Sequence, residues 1–187
     1  MPIKHTLCRA AIVAGLALTV LPFLAVPVWQ GASAHGVTAT QADKQFIDGM
    51  VPHHEMAIKM ADDAMIKAQH AELKAFAKQV KIDQAKEVAQ MKHWRGHWFG
   101  SSDVPVMTPD QMQAMMFPAA GATYDRKWLE AMIMHHQQAI DMGAKTKLVK
   151  PELKQLAKNI QTTQRREQDK LRSWIKAWYG QKGGQPV

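Results

Sequence analysis

The chain is written twice. Met50-Val-Pro-His53-His54-Glu-Met-Ala57-Ile58-Lys-Met60 returns as Met132-Ile-Met-His135-His136-Gln-Gln-Ala139-Ile140-Asp-Met142, offset by 82 residues. Glu72-Leu-Lys-Ala-Phe-Ala-Lys-Gln-Val80 returns as Glu152-Leu-Lys-Gln-Leu-Ala-Lys-Asn-Ile160 at an offset of 80, followed by Trp94, Trp98, Phe99 and Gly100 against Trp174, Trp178, Tyr179 and Gly180. The connection between the paired stretches is therefore two residues shorter in the second copy. A repeat of this length is one supersecondary unit that needs a neighbour to bury its apolar face. Two copies of one unit must build the fold.

Within each copy the period is helical. Phe46, Met50, His54, Ala57, Ala61, Ala64, Met65 and Ala68 recur at spacings of three and four. So do Leu73, Phe76, Ala77, Val80, Gln84, Glu87, Met91, Trp94 and Trp98, which puts each set on one helix face. Strand signals are nearly absent, with only two tyrosines and no alternating β-branched runs. Gly100 and Gly180 follow the Trp-rich ends as helix stops, and Pro151 suits a first helical turn. The expectation is all-α: a ferritin-like four-helix bundle made of a duplicated helical hairpin, with hairpins over 41–100 and 124–180. Residues 101–123 form a Met-rich linker (Met107, Met112, Met115, Met116) long enough for a crossover, with a short helix expected at 109–116. Residues 181–187 read as a disordered tail.

The first 34 residues read as a secretory signal peptide: Lys4 and Arg9, then the apolar run Ala10 to Leu24, then Ala32-Ser33-Ala34 as a cleavage signature. Pro22 and Pro27 shorten any helix there, which argues against a lasting membrane anchor. Cleavage leaves a single domain, 35–187, exported to the periplasm or secreted, with no cysteine, so packing rather than disulfides must stabilise it. The net charge of +8 falls to +6 with the loss of Lys4 and Arg9. Its lysines are interleaved with acids on helical faces (Lys78, Lys81, Asp83, Lys86, Glu87), the pattern of a solvated surface, and export removes nucleic acid as a partner. A monomer or weak oligomer is expected.

A helix core needs Leu, Ile, Val and Ala; it has no need of adjacent histidines bracketed by methionines. Imidazole suits copper, zinc, iron and nickel, and thioether sulfur favours Cu(I). The expected ligands are Met50, His53, His54 and Met60 with Met132, His135, His136 and Met142. On a helical wheel, Met50 and His54, and likewise Met132 and His136, fall at the centre of the apolar face. A two-unit bundle could bring these central pairs together as one Cu(I) site, with His53, Met60, His135 and Met142 at its edge. Ordinary packing is the competing reading, since methionine fills irregular cores; four histidines in two matched pairs fit it less well, because buried imidazole is costly without partners.

Other candidates are weaker. His93 and His97 could chelate a metal, but their counterparts Ser173 and Ala177 cannot, which favours a solvent-facing pair. His35 would become the mature N-terminus after cleavage, where amine and imidazole together can hold Cu(II); this supports an alternative, a copper-dependent redox enzyme. A third alternative is a helical interaction module without metal. A di-iron carboxylate site is disfavoured, because the chain has no Glu-x-x-His and Glu55 becomes Gln137 in the second copy.

With these motifs on an exported helical domain, the chain over about residues 41–180 resembles the family known as domain of unknown function 305, which includes CopM-type periplasmic copper-binding proteins. The resemblance implies a ferritin-like fold and copper binding or copper tolerance outside the cytoplasm, with the same eight residues marked. Two departures, Pro52 interrupting the first motif helix where the second has Met134, and Met56 against Gln138, imply copies of unequal affinity. Together these readings predict a protein without catalytic turnover that holds a copper ion, Cu(I) foremost with Ag(I) or Cu(II) as alternatives. It would sequester that ion or pass it between donor and acceptor proteins.

Overall fold

The structure is a computed structural model that describes residues 37–108 and 123–180. The signal-peptide reading, His35, Met112, Met115, Met116, the short helix at 109–116 and the tail fall outside the described residues. The described residues form four α-helices and no strand: α1 (Gln41–Lys67), α2 (Ala71–Phe99), α3 (Tyr124–Lys145) and α4 (Pro151–Tyr179).

Each boundary has a local cause. Thr40 and Asp43 open α1 with a reciprocal capping box, and Pro151 occupies the first turn of α4. Gly100 closes α2 in the left-handed conformation, φ 81°, which a residue with a Cβ adopts only under strain. Pro52, expected to interrupt the first motif helix, lies inside an unbroken α1. Its missing N–H takes one backbone hydrogen bond from the ladder, and packing on both sides holds the helix together.

α1 pairs with α2, α3 with α4, and the two hairpins meet along α1 and α3. The Tyr124 hydroxyl donates to Asp63 at 2.7 Å, Trp128 Nε1 to the Met60 carbonyl at 2.9 Å, and His135 Nε2 meets the His53 carbonyl at 3.0 Å. Residue numbers rise on α3 as they fall on α1, so these helices are antiparallel. α2 and α3 then run the same way, and the linker must return along the bundle, the crossover that its length permits. Its described part begins that return, with Val104 against one core cluster and Met107 against the other.

The core has two parts. Ala57, Met60, Ala64, Leu73, Phe76, Trp128, Leu129, Met132 and Leu171 lie in one cluster; Phe46, Ile47, Met50, Val51, Met91, Ala139, Leu153 and Ile160 lie in the other. Each helix crosses from one cluster to the other, and at the crossing it carries polar residues: His53 and His54, Gln84 and Glu87, His135 and His136, Gln164, Glu167 and Gln168. The bundle thus has a polar layer between two apolar ones.

Two buried aspartates clasp the hairpins, and the repeat places them symmetrically. Asp43 on α1 accepts from the backbone N–H groups of Val149 (2.8 Å) and Lys150 (3.2 Å), in the turn between α3 and α4. Asp125 on α3 accepts from Gln69 (3.0 Å) and His70 (2.9 Å), in the turn between α1 and α2. Burial pushes the Asp43 carboxyl pKa up, but the hydrogen bonds from Thr40, Val149 and Lys150 outweigh it and hold the pKa below the ordinary value of 3.8. Asp125→Ala would leave two turn N–H groups without their acceptor. The expected loss is about 2–4 kcal/mol in urea unfolding, against near zero for the exposed Asp169→Ala.

Candidate metal centre

The four motif histidines form a row across the middle of the bundle. His53 and His135 meet where α1 crosses α3, with ring centroids 3.7 Å apart and planes inclined by 30°. His54 lies beyond His53 at 6.1 Å, and His136 beyond His135 at 6.3 Å. The outer two rings are fully buried, at 0% exposure each. The wheel therefore located the deepest members of each pair, but the contact across the bundle belongs to the edge members His53 and His135.

The methionines flank this row instead of joining it in one tetrad. Met50 is in the second apolar cluster with Met142 packed against it, whereas Met60 and Met132 share the first. The expected single site of Met50, His54, Met132 and His136 is not assembled, because antiparallel α1 and α3 carry equivalent methionines to opposite sides of the histidine row. Soft sulfur stands on both sides: Met50 with Met142, and Met60 with Met132. Gly49 lets Met142 approach α1; a Cβ there would lie 3.1 Å from its methyl.

Glu87 and Glu167 complete the layer, one from the second helix of each hairpin. Glu87 Oε2 lies 2.8 Å from His54 Nε2, and Glu167 Oε2 lies 2.7 Å from His136 Nε2. The first contact is a hydrogen bond; the second has the distance of one but lies off the N–H line, so His136 Nε2 lacks a formal partner. These glutamates match at the 80-residue offset, and Glu87 sits on the apolar face of α2 by period. That charge recurring on a buried face was the available signal. Glu55 turns outward to Lys92 at 2.6 Å, and His93 and His97 are exposed.

Unmet polar atoms concentrate here. Nine buried side-chain nitrogens and oxygens lack a hydrogen-bond partner among the described residues, and all but Glu152 Oε2 belong to His53, His54, His135, His136, Gln84 or Gln164. A folded core leaves few such atoms, and a cluster of them calls for a cause. Burial drives the His53 pKa down from 6.5 to about 3, reinforced by the neighbouring His54, with the nearby Gln138 amide offsetting only part. Burial and the His53 ring push His135 well below its ordinary value too. Both rings are neutral at physiological pH, the form that ligates a metal. Among the described residues no three His, Cys, Asp or Glu side chains converge tightly enough to hold an ion. A closed shell here requires methionine sulfur or a tilt of the rings. The residues fit a soft ion: neutral imidazole nitrogens without partners, flanked by thioethers, with no thiolate.

The same shifts set the acid stability. The unfolded chain protonates His53 near pH 6.5, whereas the folded chain resists to about pH 3. Between these values the unfolded state binds more protons, so stability is full above pH 6.5 and falls as the pH falls toward 3. The urea midpoint of the metal-free protein should drop between about pH 7 and about pH 4.5, and less steeply in His53→Leu. An equal slope in both proteins would contradict the assignment.

The chain matches the family described as Domain of unknown function (DUF305) over residues 43–149 and 125–186. Among solved structures it is similar to CopM in the Cu(I)-bound form: 38% identity, 74% of this chain and 98% of that one covered, TM-score 0.65. CopM in the Cu(II)-bound form matches at 35% identity, 73% and 97% coverage and TM-score 0.65. CopM in an Ag-bound form (by soaking) matches at 36%, 74% and 97%, and 0.64. A DUF305 fragment from Deinococcus radiodurans matches at 25% identity, 75% and 99% coverage and TM-score 0.63. No curated protein matches the chain.

Proposed function

This chain belongs to the domain of unknown function 305 family, and on that premise we propose that it is an exported copper-binding protein. It holds Cu(I), and in the same layer Ag(I) or Cu(II), for sequestration or hand-off without catalytic turnover. Likeness to CopM, seen with Cu(I), Cu(II) and Ag, supports a copper-binding role. The observation that carries the reading is the His53–His135 contact, where neutral rings from the two copies meet at 3.7 Å and three of their four nitrogens lack a partner.

A ligand set of imidazole and thioether on both faces of the row suits hand-off, because a two- or three-coordinate Cu(I) can exchange one ligand at a time. The eight motif residues are the proposed donors, with His53 and His135 central and the pairs Met50/Met142 and Met60/Met132 supplying sulfur from either side. Among the described residues no helix is long and apolar enough to cross a membrane.

Binding and stability should part company at this site. Replacing His53 and His135 by leucine removes unpartnered buried nitrogens, so the metal-free variant should unfold at the same urea concentration or a higher one. Its Cu(I) affinity, read by competition with a chromophoric chelator under reducing conditions, should fall at least about a hundredfold. A destabilised variant with unchanged Cu(I) affinity would show that the histidines serve packing alone.

A further inference from the structure

We propose that Glu87 and Glu167 are positioning residues that fix the tautomer of His54 and His136, so that Nδ1, and not Nε2, is the metal-binding atom of each. The inference rests on the copper reading above and specifies the atoms through which that layer binds.

The geometry leaves little choice. An ionised carboxylate can only accept, so Glu87 at 2.8 Å from His54 Nε2 requires the proton on that nitrogen. A neutral imidazole then has its lone pair on Nδ1, and His54 Nδ1 is buried without a partner. The second copy repeats the arrangement, with Glu167 2.7 Å from His136 Nε2 and His136 Nδ1 again buried and alone. A small tilt of the His136 ring would bring its N–H onto the line to Glu167. His135 obeys the same rule by other means: its Nε2 is 3.0 Å from the His53 carbonyl, which can only accept, and its Nδ1 is unpartnered. Three rings thus leave the same nitrogen, Nδ1, buried without a hydrogen-bond partner. Three acceptors on three different elements would not produce that pattern from packing alone.

The carboxylates are placed for this task. Glu87 is 23% and Glu167 17% exposed, so each keeps water on one side while its partner ring is fully buried. They therefore avoid most of the cost of burying a charge. A ring nitrogen whose N–H points to a carboxylate is also a stronger donor at its other nitrogen, and loss of such a partner typically weakens metal binding 10- to 100-fold.

Long-range proton–nitrogen NMR of the metal-free protein, labelled with 15N-histidine at neutral pH, tests the assignment without any metal. His54 and His136 should show a protonated Nε2 and a bare Nδ1. On titration with Ag(I), a diamagnetic probe, their Nδ1 resonances should shift. Glu87→Leu should leave His54 as a mixture of tautomers and weaken Ag(I) binding about 10- to 100-fold, while His136 keeps its tautomer. A protonated Nδ1 in the metal-free wild type, or binding and tautomer both unchanged in Glu87→Leu, would overturn the proposal. If the tautomers are as stated but Ag(I) shifts no imidazole, the copper reading fails, and the ligand role of Nδ1 fails with it.

Discussion

Four imidazoles share one layer in the middle of a helical core, and the rest of the bundle is arranged around that burden. Burying a polar ring without a partner costs on the order of 1–3 kcal/mol per unmet group, and this layer holds eight unmet atoms across its histidines and glutamines. Apolar clusters on either side supply the compensating burial, from Trp128, Leu129 and Leu73 on one and Ile47, Leu153 and Ile160 on the other. A chain selected for stability alone would fill the layer with leucine. The unmet nitrogens are what a function that needs free lone pairs would preserve.

Duplication explains how the layer is held in register. Each hairpin sends one aspartate, Asp43 or Asp125, into the turn of the other, and these reciprocal clasps sit at opposite ends of the antiparallel α1–α3 seam. The seam is thereby fixed at both ends, and His53 meets His135 at its centre. A slip of one turn between the hairpins would break both clasps as well as the ring contact. Register and site geometry depend on the same few residues.

Much of this was legible in the sequence, for identifiable reasons. The repeat and the three-four spacing specify two hairpins and their apolar faces, because helical period depends only on residue order. The wheel placed His54 and His136 deepest, as they are. What period cannot supply is the relative direction and height of helices from different hairpins. Met50 and Met132, equivalent by repeat, therefore lie on opposite sides of the histidine row, and His53 and His135 make the contact across it. Glu87 and Glu167 stayed hidden for the same reason: a wheel says that they face inward but not which ring they reach. Pro52 shows a different limit, since its expected break is overridden by packing along α1.

The position of the bound metal decides whether the histidine layer is its site. Anomalous diffraction at the copper edge from crystals of the Cu(I)-loaded protein locates the ion directly. Copper is expected within the layer of His53, His54, His135 and His136, with imidazole Nδ1 and methionine sulfur as donors. Copper bound only elsewhere, at exposed His93 and His97 or along the linker, with the histidine row unchanged, would contradict it.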